Sequence, residues 1–331
     1  MKNTEPNYIR SIKNITAMLS ISERNYNGVD KKMGTIKSTM MITSLSQTSM
    51  EEIHAAFIDA FSDYEVRMDM PLAKLQEMMI TRSCSLADSL GYFGNGKLLG
   101  FLLVGKRIMD GKIVLYDVAT GVVKGHQGEG IGDALVKGIV EAARKVNADR
   151  FILEVLQNNK AAQKLYAKYG FGIARKLKCY EYSCDGKAGI QKTENQSDQA
   201  IADDETRLPA DLDIAGYCTF NPSWQNSCAS FLNMRANHHL HLQKNGDVLA
   251  GYGIVHTRTG SILQLGMHPD HRSTELLETI ISALCRHTES AVLKYLNVED
   301  NSLIESYLLD LGFRNTINQF EMAYVVNPKC R

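Results

Sequence analysis

From position 41 onward the apolar positions switch repeatedly between a period of two and a period of three to four. Residues 41–45 alternate as a short strand. Residues 50–61 (MEEIHAAFIDAF) place Ile53, Ala56, Phe57 and Ala60 on one helical face. Pro71 opens a second helix, because proline is tolerated in a first turn. Strands follow at 90–93, 98–105 and 112–118, the first two joined across the turn sequence Gly94-Asn95-Gly96. Ile131, Ala134, Leu135, Ile139, Ala142 and Val146 recur at helical spacing and predict a helix over 131–146. A strand at 151–156, a helix at 161–169 and a strand at 178–182 close the stretch. The order, near βααβββαβαβ, is a mixed α+β pattern: a mostly antiparallel sheet flanked by helices.

Residues 184–213 are polar and poor in large apolar side chains, and read as a linker. Beyond it the pattern returns, with strands at 240–243, 248–256 and 262–267, a helix from Leu276, a strand at 292–298, a helix to Leu311 and a strand at 319–326. The two halves superpose. Asn159 and Gly170-Phe171 fall on Asn301 and Gly312-Phe313 at an offset of 142, and Gln127 falls on Arg272 at an offset of 145. A repeat of this length means two copies of one domain. The expected organisation is an extension at 1–40, a first domain at 41–183, a linker at 184–214 and a second domain at 215–331. The extension holds seven basic residues against three acidic ones, and Met33, Met40 and Met41 are alternative starts. Its apolar stretch around Ala17-Met18-Leu19 is too short for a signal-peptide core. It is expected to be loosely ordered, with a substrate lid or partner-binding arm as the alternative.

Composition narrows the class. A chain of 331 residues corresponds to roughly two domains at ~150 residues each. The 37 basic and 37 acidic residues cancel, so the basic surplus of a nucleic-acid or anionic-membrane binder is missing. Apolar runs such as 100–105 (GFLLVG) fall far short of the ~18 residues that span a bilayer. The seven cysteines are scattered with no CxxC pair. They suggest neither a disulfide framework nor a zinc ribbon, and a cytoplasmic location is expected.

The candidate chemistry lies between a strand and a helix, in Val122-Val123-Lys124-Gly125-His126-Gln127-Gly128-Glu129-Gly130-Ile131-Gly132-Asp133. Glycines at 128, 130 and 132 let the backbone approach a ligand without an intervening Cβ. The unpaired first-turn amides and the positive end of the helix dipole suit an anion such as a pyrophosphate. Tight packing alone would account for the glycines equally. The spacing is not that of a P-loop, since no Lys-Ser/Thr pair follows. It does not open a Rossmann unit either, because it comes late in an antiparallel run.

Gln127-x-x-Gly130-x-Gly132, followed by Glu154, Asn159, Ala162, Leu165-Tyr166 and Gly170-Phe171, resembles the GNAT (GCN5-related N-acetyltransferase) superfamily. The likeness covers 41–183 well and 215–331 weakly, as a second copy. It implies a tandem GNAT-like fold that takes acetyl-CoA as acyl donor and needs no metal. The pyrophosphate would lie on Gln127, Gly128, Glu129, Gly130, Ile131, Gly132 and Asp133, and the pantetheine beside the strand ending at Val122. Amides near Val122 and Val123 would polarise the thioester carbonyl. Asn159 would hydrogen-bond the pantetheine arm, and it can cap the following helix as well. Tyr166 matches the family tyrosine that protonates the departing thiolate. An attacking ammonium must first lose a proton. Glu154 is one candidate base and Asp117 the other, directly or through a water. Either could instead be a surface-facing or salt-bridged strand carboxylate.

In the second copy Gly130 falls on Glu275, Gly132 on Leu277, Tyr166 on Leu308 and Glu154 on Leu296. These replacements predict a degenerate copy that packs on the first and lacks the acetyl-CoA site. His239 and His241 would share one strand face, without a third ligand in view. The only tryptophan, Trp224, is expected in packing. The loop with Asp63, Tyr64 and Glu65 suits a cationic amine as well as it suits a solvated face. The expected function is acetyl transfer from acetyl-CoA to a primary amine, free or on a peptide, by direct attack. A non-catalytic acyl-CoA-binding or sensing protein is the alternative, and either a monomer or a homodimer is compatible.

Overall fold

The computed structural model describes residues 40–62, 70–184 and 216–326. The expectations for 1–39, for the loop at 63–69 with Asp63, Tyr64 and Glu65, and for the linker at 185–215 lie outside these residues. The chain divides into two compact units. Of the described residues, the first holds 40–62, 70–79, Cys84–Phe151 and 325–326; the second holds Ile80–Ser83, 152–184 and 216–324.

In the first unit β1 (Met40–Ser44), β2 (Leu90–Gly94), β3 (Lys97–Met109) and β4 (Lys112–Val122) pair antiparallel in that order. Asn95-Gly96 joins β2 to β3, and Asp110-Gly111 joins β3 to β4. Their φ values of 51° and 77°, and of 50° and 73°, are the left-handed pairs that two-residue hairpin turns require. Both β3 and β4 run past the strand ends expected from the apolar period, because hairpin pairing continues through Lys106, Arg107 and Thr120. Helix α1 (Met50–Ala60) is capped by Ser49, whose hydroxyl accepts from the Glu52 amide at 3.1 Å. It buries Ile53 and Phe57, the latter 6.0 Å from the Phe101 ring of β3. Helix α2 (Leu72–Thr81) follows Pro71. Helix α3 (Ile131–Lys145) buries Leu135, Val136 and Ile139. It lies close to the sheet because Gly100 has no side chain: a Cβ there would stand 2.6 Å from Ile131.

Strand β5 (Arg150–Leu156) begins in the first unit and ends in the second. The second unit continues with α4 (Lys160–Lys168), β6 (Gly172–Ser183), α5 (Cys228–Asn233), β7 (His238–Asn245), β8 (Val248–His256) and β9 (Ser261–Met267). It ends with α6 (Thr274–Arg286), β10 (Val292–Glu299), α7 (Leu303–Asp310) and β11 (Arg314–Val325). The strand order there is β5-β11-β6-β10-β9-β8-β7. Strand β6 is antiparallel to both β10 and β11. The last strand of each repeat therefore lies beside the other repeat's strands. Leu177 pairs with Gln319, its own counterpart at the offset of 142, so a local two-fold passes through that pair. The compact units divide within β5, away from the repeat boundary expected after residue 183.

The repeat extends to packing detail. In β4 the register slips at Val118, between Ala119 and Asp117; in β9 it slips at Leu263, 145 residues later. A Cβ on Gly251 would stand 2.8 Å from Ile280, as one on Gly100 would meet Ile131 and Leu135. Gly121 leaves room for the Phe101 ring and Gly266 for the Tyr252 ring.

One sequence expectation changes. Cys184 at the end of β6 is disulfide-bonded to Cys285 on α6, with Cα atoms 5.7 Å apart and 101 residues between them in sequence. Spacing gave no sign of this pair. Short α5, six residues long, carries too few turns to show a period. Trp224 is 2% exposed and its indole N–H donates to the Arg82 carbonyl at 2.9 Å. His239 stacks on His287 with ring centroids 3.6 Å apart. Among the described residues no three ligating side chains gather as a metal site, and no helix is long and apolar enough to cross a membrane.

Two outcomes follow from this unit. Closing a ~100-residue loop lowers the entropy of the unfolded chain by an amount worth roughly 4–5 kcal/mol. Reduction, or Cys285→Ser, should therefore lower the urea midpoint; an unchanged midpoint would show that the pair does not form. Burial, then His287, His241 and Arg235, push His239 down to about 4 from its ordinary 6.5. The unfolded chain thus binds the extra proton in that window, and stability should fall as pH drops from about 6.5 to about 4. His239→Gln should flatten that slope in pH-dependent urea melts, and an unaltered slope would assign it to other groups.

Candidate active site

The first unit supplies the loop. After β4, the Val123 amide donates to the Leu99 carbonyl at 2.9 Å and the Lys124 amide to Asp59 Oδ2 at 2.6 Å. These bonds tie the loop's start to β3 and α1. The chain then turns at Gly125, Gly128 and Gly130, with φ of 88°, 81° and 83°. Glycine is needed there for a left-handed backbone, and a Cβ at any of the three would meet nothing within 4 Å. Gly130 is the N-cap of α3 and has no side chain to satisfy the first-turn donors. Among the described residues, no acceptor meets the amides of Gly128, Glu129, Gly130 or Ile131. Ile131, Gly132 and Asp133 form the first turn of the helix, whose dipole adds partial positive charge. Gln127 folds back, its amide Nε2 donating to the Val122 carbonyl at 3.4 Å, and His126 Nδ1 lies 3.2 Å from Glu129 Oε2.

Asp117 sits beside the bulge at Val118, where the extra residue bends β4. It is buried, and Oδ2 accepts from the Thr120 hydroxyl at 2.7 Å.

Glu154, Asn159 and Tyr166 belong to the second unit. Glu154 is half-buried on β5, and its Oε1 accepts from Asn297 Nδ2 at 3.5 Å. Asn297 is fully buried at a bulge in β10, with φ of 59°. Its amide also donates to Ser223 Oγ at 3.2 Å, and its oxygen accepts from Gln319 Nε2 at 3.1 Å. Asn297 and Gln319 were not among the sequence candidates. Asn297 aligns with Val155 in the repeat, and Gln319 comes near only through strand exchange. Gln319 also reaches the Cys179 sulfur at 3.5 Å. Burial pushes the Cys179 thiol up, which disfavours a thiolate nucleophile. Asn159 caps α4, its Oδ1 accepting from the Ala162 amide at 3.0 Å. Tyr166 is 7% exposed, with its ring edge-on to Phe171 at 5.4 Å.

The second repeat shapes the same positions differently. Helix α6 starts at Thr274, so the stretch matching Glu129-Gly130 is already helical. Ser273 stands where Gly128 stands in the first repeat, and its hydroxyl accepts from the Leu276 amide at 3.1 Å. Leu277 and Leu308 are fully buried in the core beneath.

A sequence profile of the GNAT acetyltransferase family matches residues 50–171. No protein of curated function matches the chain. Its fold is similar to that of solved acetyltransferases. A putative acetyltransferase from Pyrococcus horikoshii is 15% identical, with a TM-score of 0.60 over 90% of this chain and 93% of that one. A GCN5-related N-acetyltransferase from Sphaerobacter thermophilus is 11% identical, with a TM-score of 0.61 over 87% and 96%. A tandem GNAT protein from the clavulanic acid biosynthesis pathway is 16% identical, with a TM-score of 0.56 over 88% and 99%. At these identities the likeness is one of fold.

Proposed function

We propose that this chain, which a GNAT acetyltransferase family model matches over residues 50–171, transfers an acetyl group from acetyl-CoA to a primary amine by direct attack. The observation that carries the reading is the unclaimed row of amides at Gly128, Glu129, Gly130 and Ile131, at the start of a helix whose cap has no side chain. Charge-assisted hydrogen bonds of this kind contribute roughly 1.5–3 kcal/mol each. Gln127 and the first turn through Gly132 and Asp133 would complete the pyrophosphate seat. Val122 would face the thioester and Asn159 the pantetheine; the Val123 amide, bound to the Leu99 carbonyl, is not open to the thioester as the sequence led us to expect.

In the reaction the amine nitrogen bonds to the carbonyl carbon and the C–S bond breaks. Glu154 takes the proton that the ammonium must lose before attack, the Tyr166 hydroxyl gives one to the departing thiolate, and the proton that the nitrogen sheds as it becomes an amide restores the Tyr166 phenol. The buried Asn297 amide supports Glu154 in this role. Asp117, already engaged by Thr120, is the alternative base. The second domain, 215–331, is read as a degenerate copy that no longer binds acetyl-CoA. The acceptor is a small-molecule or peptide amine; the Cys184–Cys285 disulfide runs against the reducing, cytoplasmic location that the cysteine spacing suggested.

The test is CoA release followed with a thiol reagent across a panel of amines. Tyr166→Phe and Glu154→Gln should each lower kcat roughly 10²-fold or more while leaving acetyl-CoA affinity largely intact. Glu154→Gln should also remove the basic-group limb from the pH profile of kcat/KM. Unchanged turnover in both variants would remove these roles, and binding without turnover on any amine would favour an acyl-CoA sensor.

A further inference from the structure

The second repeat carries its own occupant. The inference rests on the cofactor placement proposed above, carried over by the repeat offsets. Three marks in the first repeat define that placement: Val122 at the strand end, Gln127 at the loop, and Asn159 at the start of α4, where it caps the Ala162 amide. Their counterparts are Met267, Arg272, Asn301 and Ile304. Each is engaged from within the chain.

The Met267 amide donates to the Tyr217 carbonyl at 3.0 Å. Arg272 Nη2 donates to the Gly216 carbonyl at 2.5 Å. The Ile304 amide, at the start of α7, donates to the Thr219 hydroxyl at 3.2 Å. Between these anchors the Cys218 sulfur lies 3.8 Å from the Leu265 carbonyl and 3.1 Å from the Tyr252 hydroxyl. The strap thus passes the loop mark at Gly216, the strand mark at Tyr217 and the helix mark at Thr219. Tyr217 is 5% exposed, with its hydroxyl donating to the Leu249 carbonyl at 2.6 Å. The anion position is also taken. Glu275 stands in the first turn of α6, where its own backbone amide and the Ser273 hydroxyl hold its carboxyl below the usual range. The Asn301 amide is bound by Glu305 Oε2 at 2.7 Å. What remains beside the strap is a groove of about 600 Å³ with Glu299, Asp300 and Asn301 on its far wall.

We propose that residues 216–222 replace the cofactor in the second repeat, so that the chain fills its own acetyl-CoA cleft. The Tyr217 carbonyl accepts the strand-end amide that would otherwise be offered to pantetheine, the Thr219 hydroxyl caps the start of α7 where Asn159 caps α4, and Glu275 carries the negative charge that pyrophosphate would bring. Acetyl-CoA would have to break three hydrogen bonds, unpack Tyr217 and approach a carboxylate. The degenerate positions and the strap thus form one arrangement: the repeat keeps its fold because the cleft is filled.

The test is hydrogen exchange on the full chain, with and without saturating acetyl-CoA. The Met267 and Ile304 amides should be protected in the free protein and unchanged by acetyl-CoA. The amides at 128–131 should slow only when it is added. Thr219→Val should speed exchange at Ile304 about tenfold, the equivalent of one lost hydrogen bond, and leave acetyl-CoA affinity within twofold. Fast exchange at Met267 in the free protein, or protection there that appears only with acetyl-CoA, would overturn the proposal. Failure of 128–131 to respond would overturn the function proposed above, while protection at Met267 in the free protein would still support the strap.

Discussion

The antiparallel pairing of β6 with β11 is the constraint on which the rest of the second unit depends. These strands are counterparts in the repeat, and Leu177 opposite Gln319 marks the local two-fold between them. Pairing a strand with its own counterpart leaves each beside the other repeat: β6 next to β10, and β11 next to β5. The second repeat therefore cannot be removed without stripping β5 of a neighbour. This gives the second repeat a physical reason to persist whatever it binds.

The exchange also reaches the candidate base. Gln319 rides on β11 and Asn297 on β10, and together they place a buried, fixed amide against Glu154. A buried amide is costly unless both its ends are bonded, and Ser223 and Gln319 meet that need. Arg175 on β6 is bound by both Glu299 and Glu321, at 3.1 and 2.8 Å, so the ion pairs follow the exchanged strands as well. In this account the second repeat acts by holding part of the first, and the strap keeps it folded for that purpose.

Much of this was legible in the sequence, and the rest was hidden for identifiable reasons. The helix at Ile131–Lys145, the Asn95-Gly96 hairpin and the glycine loop each follow from local rules, and each lies where the pattern placed it. The repeat was legible because paired glycines and the N-to-Gly-Phe spacing survive in both halves. Strand exchange was not, since equivalent strands have equivalent patterns and the sequence does not say which sheet each joins. The Cys184–Cys285 pair depends on tertiary proximity across 101 residues. Asn297 owes its role to a left-handed bulge that alignment with Val155 conceals. The strap begins among polar residues at the edge of the linker, where no apolar period marks it. In the loop itself, glycine proved to be a matter of backbone handedness at 125, 128 and 130, which spacing alone did not separate from close approach.

The central claim is that one repeat is open to acetyl-CoA and the other is closed by its own chain. Isothermal titration of the full chain with acetyl-CoA tests it most directly through the stoichiometry. The account predicts one equivalent per chain. Two equivalents, or none, would contradict it.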